Sequence, residues 1–156
     1  MAALNDMYNT RIFELAAEIP HQQRLADADA TASAHSKLRG STIEIDLKMD
    51  DADRITAFGQ TVKACLLGQA SASVVGREIV GSTVSELRDV GRIMRHMLKD
   101  GGPVPTGRWA DLAMLEPVKD YKARHASTLL IFDAVERAIA AIEARRAGPA
   151  PVEAAQ

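Results

Sequence analysis

The fold is decided by one stretch of alternating residues, Thr42-Ile43-Glu44-Ile45-Asp46-Leu47-Lys48-Met49. Aliphatic side chains occupy every second position of this stretch, and charged side chains lie between them. Because successive side chains of a strand point to opposite faces of a sheet, the period of two predicts a β-strand over Thr42–Met49. One face of this strand is expected to pack on a core, and the other is expected to meet solvent.

A second strand is predicted immediately downstream. The segment Asp50-Asp51-Ala52-Asp53 favours a tight turn, because aspartate side chains can bond to the backbone of their own turn. The next segment, Ile55–Lys63, is rich in β-branched and aromatic residues, which predicts a strand and makes the pair an antiparallel hairpin. Residues 21–41 have few large apolar side chains and are predicted to form a loop, with a short edge strand over residues 34–38.

Helices are predicted on both sides of this hairpin. An amphipathic N-terminal helix is expected from Leu4 to Ile19, because apolar residues recur at helical spacing until Pro20. The small residues that follow Cys65 predict a helix able to approach a sheet closely, and Gly81 ends it.

Three further helices are expected in the second half of the chain. The first begins at the capping-box pair Thr83 and Glu86 and stops at the glycines and proline of residues 100–103. A short helix over residues 109–115 follows, and the last helix carries an apolar pattern from Leu129 and ends near Arg146.

The order of these elements predicts an α+β fold. A small antiparallel β-sheet of two or three strands is expected to carry helices on one face. The chain has 156 residues, enough for a single domain with one core, which we assign to residues 1–146. Residues 147–156 contain two prolines and are predicted to form a disordered C-terminal tail.

Composition argues against several classes of function. The 19 basic and 21 acidic residues give a net charge of -2, which leaves no electrostatic excess for binding nucleic acid or an anionic membrane. No apolar run is long enough to cross a membrane and no signal-peptide pattern is visible, so we expect a cytoplasmic protein. The single cysteine excludes an intrachain disulfide and any zinc site built from several cysteines.

Cys65 is the first candidate for chemistry. It lies where a predicted strand meets a predicted helix, and the free N–H groups and dipole of a helix start favour a thiolate, which can act as a nucleophile or a metal ligand. A lone cysteine is also commonly a small buried hydrophobe. Both interpretations stay open at this point.

Histidines and arginines supply weaker candidates. His21, His35, His96 and His125 lack the spacing of a local metal motif, so any of them could reach Cys65 only through the fold. One predicted helix also has a cationic face that either docks an acidic partner or stays hydrated. That face comprises Arg88, Arg92, Arg95 and Lys99.

Four segments carry a family resemblance: Tyr8-Asn9, Leu38-Arg39-Gly40-Ser41, Lys63–Ser73 and Leu115–Ser127. In this order they resemble the iron–sulfur cluster assembly scaffold family of IscU, SufU and the NifU N-terminal domain. They resemble, in turn, its Tyr-Asn opening, its Cys-Gly-Asp segment, its Gly-Cys-x-x-x-x-Ala-Ser-x-Ser stretch and the SufU segment that leads to the third cysteine. The resemblance covers roughly residues 7–140.

The resemblance implies where a metal site would lie. The family surrounds its metal with three cysteines and an aspartate, and Cys65 stands at the second cysteine position. The first cysteine, the aspartate and the third cysteine correspond to Arg39, Ser41 and Ser127. Serine and arginine do not replace thiolates as iron ligands, whereas the Arg39 charge would stabilise a thiolate or persulfide at Cys65. The chain is identified as a divergent member that lacks most metal ligands.

Two hypotheses about function follow from the resemblance. In the first, the chain serves iron–sulfur cluster biogenesis by accepting sulfur at Cys65 or by binding iron, zinc or a cluster there, shared across a homodimer with help from His35 or His125. In the second, it is a metal-free module that engages a cysteine desulfurase or another assembly factor. No base for an independent thiol enzyme is recognisable, so no enzymatic activity is expected.

Overall fold

A computed structural model describes residues 8–37 and 40–148 of the chain. Three antiparallel strands form one sheet in the order β1 (Ala30–His35), β2 (Thr42–Met49) and β3 (Ile55–Lys63). Within these residues, four α-helices accompany the sheet, and 3₁₀ segments at Gly107–Asp120 and Lys122–Arg124 join the last two. These helices are α1 (Thr10–Ala17), α2 (Leu66–Glu78), α3 (Val84–Asp100) and α4 (His125–Ala147). The predicted α+β class is confirmed.

The β2–β3 hairpin has the predicted bounds. Its turn is held by the carboxylate of Asp50, which accepts hydrogen bonds from the N–H groups of Ala52 and Arg54 at 2.9 and 3.0 Å. Asp53 adopts a left-handed conformation with φ of +60°, which aspartate tolerates better than most residues. The aspartate-rich turn is therefore a direct product of local sequence.

The edge strand β1 lies earlier than the predicted strand at residues 34–38. It pairs with β2 from Ala30 opposite Leu47 to His35 opposite Thr42. Its alanines are too small to give an apolar periodicity that the sequence would reveal, yet small side chains suit a strand that a helix crosses closely. Leu38, the end of the predicted strand, lies outside the described residues.

Within the described residues, the first helix is shorter than predicted. Asn9 caps α1 by accepting a hydrogen bond from the Ile12 N–H at 3.0 Å, so Tyr8 and Asn9 precede the helix and do not belong to it. The helix ends at Ala17, because the residue before Pro20 is disfavoured in helical conformation. Leu4, the predicted start, lies outside the described residues.

The central helix of the fold is α4. It is buried on nearly all sides, because it crosses the inner face of β1 and β2 and also packs against α2 and α3. The small residues of α2 mainly allow α1 and α4 to pack closely against it. The sequence-based prediction assigns this close packing to the sheet. The shared core therefore lies between the inner sheet face and α4.

Of the helices predicted in the second half, α3 has its predicted bounds, α4 ends near Arg146 as predicted, and the short helix between them is longer than predicted. The Thr83 hydroxyl caps α3 by accepting the Glu86 N–H at 3.1 Å, and Gly101 ends the helix with φ of +68°. The predicted short helix is a longer 3₁₀ segment, and α4 starts at His125, before its apolar pattern begins. The predicted tail lies outside the described residues, apart from Ala147 and Gly148.

The cationic face of α3 is partly an internal contact. Arg88 forms ion pairs with both Glu136 and Glu143 of α4, and Arg95 pairs with Asp133 of α4. These hydrogen bonds raise the pKa of Arg88 above its ordinary value and lower that of Glu143. Two of the four basic residues of this α3 face therefore pair with acidic residues of α4 in the same chain.

The outer face of the sheet is exposed at Thr31, Ser33 and Thr61, as expected, but it is covered around Asp46. Asp46 on this face is only 1% exposed, because the segment of residues 20–29, here called the strap, lies across it. The Asp46 carboxylate accepts hydrogen bonds from the Arg24 guanidinium at 2.8 Å, the Leu25 N–H at 2.9 Å and the Thr31 hydroxyl at 2.5 Å. Burial raises the pKa of Asp46, but these hydrogen bonds outweigh it and lower the pKa to about 2.

Asp46→Asn should reduce the free energy of unfolding at pH 7 by about 2 kcal/mol. This is the free energy that corresponds to the difference between the Asp46 pKa in the folded protein and in the unfolded chain. Because the folded pKa is depressed, this contribution is present above the ordinary pKa of 3.8 and is lost as the pH falls toward about 2. Urea unfolding at several pH values checks both effects. Asp27→Asn, which removes an exposed carboxylate of the strap, is the control and should change little.

Candidate functional site

Three of the four positions that correspond to family ligands meet at one place. Ser41 immediately precedes β2, Cys65 immediately precedes α2, and Ser127 lies in the first turn of α4. The Ser41 and Ser127 Oγ atoms are 3.3 Å apart, and the Cys65 N–H donates to the Ser41 Oγ at 3.3 Å. Segments far apart in sequence thus form one contiguous site.

Cys65 is the N-cap residue of α2. Its backbone is extended, with φ of -64° and ψ of 167°, and its side chain makes no capping hydrogen bond. The thiol-bearing residue is half-buried and carries no disulfide. The chain therefore presents a free cysteine at a helix start, where backbone N–H groups lack partners within the helix.

The two serines differ from Cys65 in their exposure. Ser41 is 2% exposed and Ser127 is fully buried, so water has little access to either hydroxyl. Each hydroxyl forms its hydrogen bond with a protein group. A buried hydroxyl without such a bond would lower the stability of the folded state.

A close helix contact seats Ser127. Gly68, one turn into α2, lies so near the first turn of α4 that an added Cβ would be 2.9 Å from the Ser127 carbonyl oxygen. The same Cβ would be 2.9 Å from the Ala64 Cβ. Only glycine allows this approach without a shift, and sequence reasoning treated it merely as one of several small residues.

Ser36 is a further hydroxyl next to the site that the sequence did not single out. Its N–H donates to the Ser41 carbonyl at 2.8 Å, which extends the β1–β2 ladder by one residue pair. The side chain is 4% exposed, and its Oγ has no hydrogen-bond partner within the described part of the chain.

The Tyr-Asn opening contacts the start of α4. The Tyr8 hydroxyl accepts a hydrogen bond from the Arg124 guanidinium at 2.6 Å, and that guanidinium also lies 5.7 Å from the centre of the Tyr8 ring. Arg124 precedes α4 by one residue. The opening segment therefore helps to fix the helix that carries Ser127.

The four histidines make their contacts elsewhere, away from Ser41, Cys65 and Ser127. His125 is buried, and its Nε2 lies 3.0 and 3.1 Å from the carbonyl oxygens of Val118 and Lys119, so Nε2 must carry the proton that it donates. His35 is an exposed residue at the end of β1, His21 contacts the Phe58 ring, and His96 lies beside Asp100. Arg39, at the first cysteine position, lies outside the described residues.

These residues do not fit a protein-bound metal or iron–sulfur cluster of the family kind. Only Cys65 supplies a thiolate-class ligand, while Ser41 and Ser127 are neutral hydroxyls bonded to each other. Across residues 8–37 and 40–148, no group of three or more His, Cys, Asp and Glu side chains could hold a metal ion. In the same ranges, no helix is long and apolar enough to cross a membrane.

The fold and this convergence define a class of protein, the small α+β iron–sulfur scaffold domain. A solved structure, the N-terminal part of a nitrogen-fixing NifU-like protein from Brucella abortus, is 52% identical and has a TM-score of 0.89. The match covers 91% of this chain and 98% of that chain. The chain belongs to the family of IscU, SufU and NifU N-terminal domains.

Two more distant structures show the same fold. A proposed iron–sulfur cluster assembly scaffold protein of the SUF system from the thermophile Fervidobacterium islandicum is 19% identical, with a TM-score of 0.79 over 88% of this chain and 99% of that chain. A hypothetical protein is 21% identical, with a TM-score of 0.75 over 87% and 98%. No protein-family model matches the chain, and no curated protein matches it.

Gly68→Ala should lower the free energy of unfolding by about 1–3 kcal/mol, because its Cβ must push α2 away from the Ser127 carbonyl. Gly91→Ala is the matched control, a buried helical glycine of α3 whose Cβ would lie 3.8 Å from Phe132 and meet only the flexible end of Arg95 closely. That control should be neutral or stabilising by up to about 1 kcal/mol. Equal losses in both variants by chemical denaturation would contradict the close-contact explanation.

Proposed function

We propose that the chain serves iron–sulfur cluster biogenesis by accepting a single sulfur atom at Cys65 from a cysteine desulfurase. In this proposal it acts through one domain, residues 1–146, in the cytoplasm, where thiols remain reduced. The observation that carries the proposal is the convergence of Ser41, Cys65 and Ser127, in which Cys65 alone keeps a thiol and is partly exposed. One thiol is enough to carry a sulfur atom, whereas holding a metal or cluster would need the other family ligands, which this chain lacks.

The chemistry is an exchange between a persulfide and a thiol. The Cys65 thiolate attacks the outer sulfur of the desulfurase persulfide, the sulfur–sulfur bond of the donor breaks, and the donor leaves as a thiolate. A new sulfur–sulfur bond forms on Cys65, so no external oxidant or reductant is needed. The unpaired N–H groups at the start of α2 can donate to the anionic sulfur that results.

The partner follows from the family resemblance, which implies a cysteine desulfurase or another iron–sulfur assembly factor. Cys65 lies at the end of a helix, half exposed, where a partner's persulfide-bearing segment can reach it.

The purified chain, incubated with a cysteine desulfurase and L-cysteine, should gain the mass of one sulfur atom by intact mass spectrometry. Because the chain has a single cysteine, Cys65→Ser removes every thiol and should show no gain. Wild-type protein alkylated beforehand is the matched control for folding, since it keeps the wild-type backbone and should also gain nothing. A persistent absence of sulfur on the free thiol would reject this role.

The second candidate function is a metal-free module that binds a desulfurase or another assembly factor. The specific observation in its favour is the Ser41–Ser127 contact, which fills the ligand region with a buried hydrogen bond. If this function is correct, Cys65→Ala should bind the desulfurase as tightly as the wild type in a calorimetric titration. A tenfold weaker affinity of the variant would count against it.

Anaerobic reconstitution with iron and sulfide separates both functions from cluster binding. We expect colourless protein without stoichiometric iron, because one thiolate per chain is too few. Visible charge-transfer bands that vanish in Cys65→Ala would contradict this expectation and favour a cluster shared between two copies.

A further inference from the structure

We infer that the Ser41–Ser127 contact, with the Cys65 N–H that joins it, is a metal-independent lock at the family's ligand site. It ties together the connection before β2, the start of α2 and the start of α4. Those are the segments in which the family places its metal ligands. Here, the joining is done by hydrogen bonds between protein groups.

The geometry of the lock couples its two hydroxyls. The Ser41 Oγ accepts the Cys65 N–H and lies 3.3 Å from the Ser127 Oγ, so one of the two hydroxyl protons bridges the pair. Both side chains are almost completely buried, with exposures of 2% and 0%. Removing either hydroxyl leaves the other without this partner, whereas removing both leaves only the Cys65 N–H without its acceptor.

The close approach of α2 and α4 supports the lock independently. Gly68 lets the first turns of these helices meet at the Ser127 carbonyl. This contact fixes Ser127 relative to the start of α2, where the Cys65 N–H donates to the Ser41 Oγ.

The consequence for Cys65 rests on the proposed function. With Ser41 and Ser127 bonded to each other, Cys65 remains a solitary thiol, suited to carry one sulfur and not to share in a metal site. The lock itself does not depend on that role, so its tests measure stability and metal response rather than sulfur transfer.

The first test is thermal unfolding of serine variants in the presence of EDTA. Ser41→Ala and Ser127→Ala should each lower the melting temperature by about 2–4 °C, and the double variant should fall no further than the worse single variant. Additive losses in the double variant would overturn the coupling. The matched control is Ser36→Ala, which removes a buried hydroxyl of the same region that has no hydrogen-bond partner among residues 8–37 and 40–148, and it should leave the melting temperature unchanged or raised. A comparable loss in this control would also overturn the lock.

The second test restores ligands. Wild-type protein should keep its melting temperature within error when equimolar Zn²⁺ or excess EDTA is added. The variant Ser41→Asp with Ser127→Cys places a carboxylate and a second thiolate beside Cys65, three donors that zinc accepts with a water. Zinc should raise its melting temperature by several degrees, and EDTA should reverse the rise.

Two outcomes of the second test would overturn the inference. One is a zinc-dependent melting temperature in the wild type, and the other is a folded Ser41→Asp, Ser127→Cys variant that zinc does not stabilise. If this variant fails to fold, the alanine variants of the first test decide the question. A wild type that ignores metal yet takes up no sulfur would reject the proposed function and leave the lock intact.

Discussion

The site depends on one packing arrangement, in which α4 crosses the inner sheet face and meets the start of α2. Aliphatic residues of β2 and nearly every side of α4 are buried in this contact, so hydrophobic burial fixes the direction of the helix. Glycine at position 68 then allows the two helix starts to approach at the Ser127 carbonyl, and the Ser127 hydroxyl lies 3.3 Å from that of Ser41. The polar contact is specific, but apolar packing brings its partners together.

In this chain, hydrogen bonds join the three segments that the resemblance assigns to metal ligands. A scaffold that coordinates metal can hold three segments with metal–ligand bonds, whereas this chain holds the same segments with a buried hydroxyl contact and a helix-start N–H. Each such hydrogen bond contributes only about 1 kcal/mol net. The rest of the restraint comes from packing and from surrounding polar contacts, among them the Tyr8–Arg124 pair and the carbonyls that hold His125.

A second polar anchor stabilises the opposite side of the sheet. Asp46 belongs to the face that the alternating pattern assigns to solvent, yet the strap buries it. The strap donates to its carboxylate through Arg24 and the Leu25 N–H, and Thr31 of β1 donates through its hydroxyl. Such a buried carboxylate is favourable only because all these donors are in place. The strap has little apolar content of its own, so its conformation is set by these contacts, and no local pattern of sequence predicts it.

Local signals in the sequence predict the hairpin of β2 and β3, the cap and stop of α3, the α+β class and the family resemblance, because strand alternation, turn aspartates and ordered motifs do not depend on distant residues. It also places Cys65 at a strand–helix junction, and the resemblance assigns Arg39, Ser41 and Ser127 to positions of family ligands. Only the tertiary structure decided that Ser41 and Ser127 share a hydrogen bond, that His125 is committed to backbone carbonyls, and that Arg88 and Arg95 bind acidic residues of α4. Those pairings join residues distant in sequence, and burial of the whole core, rather than any local preference, sets which of them meet.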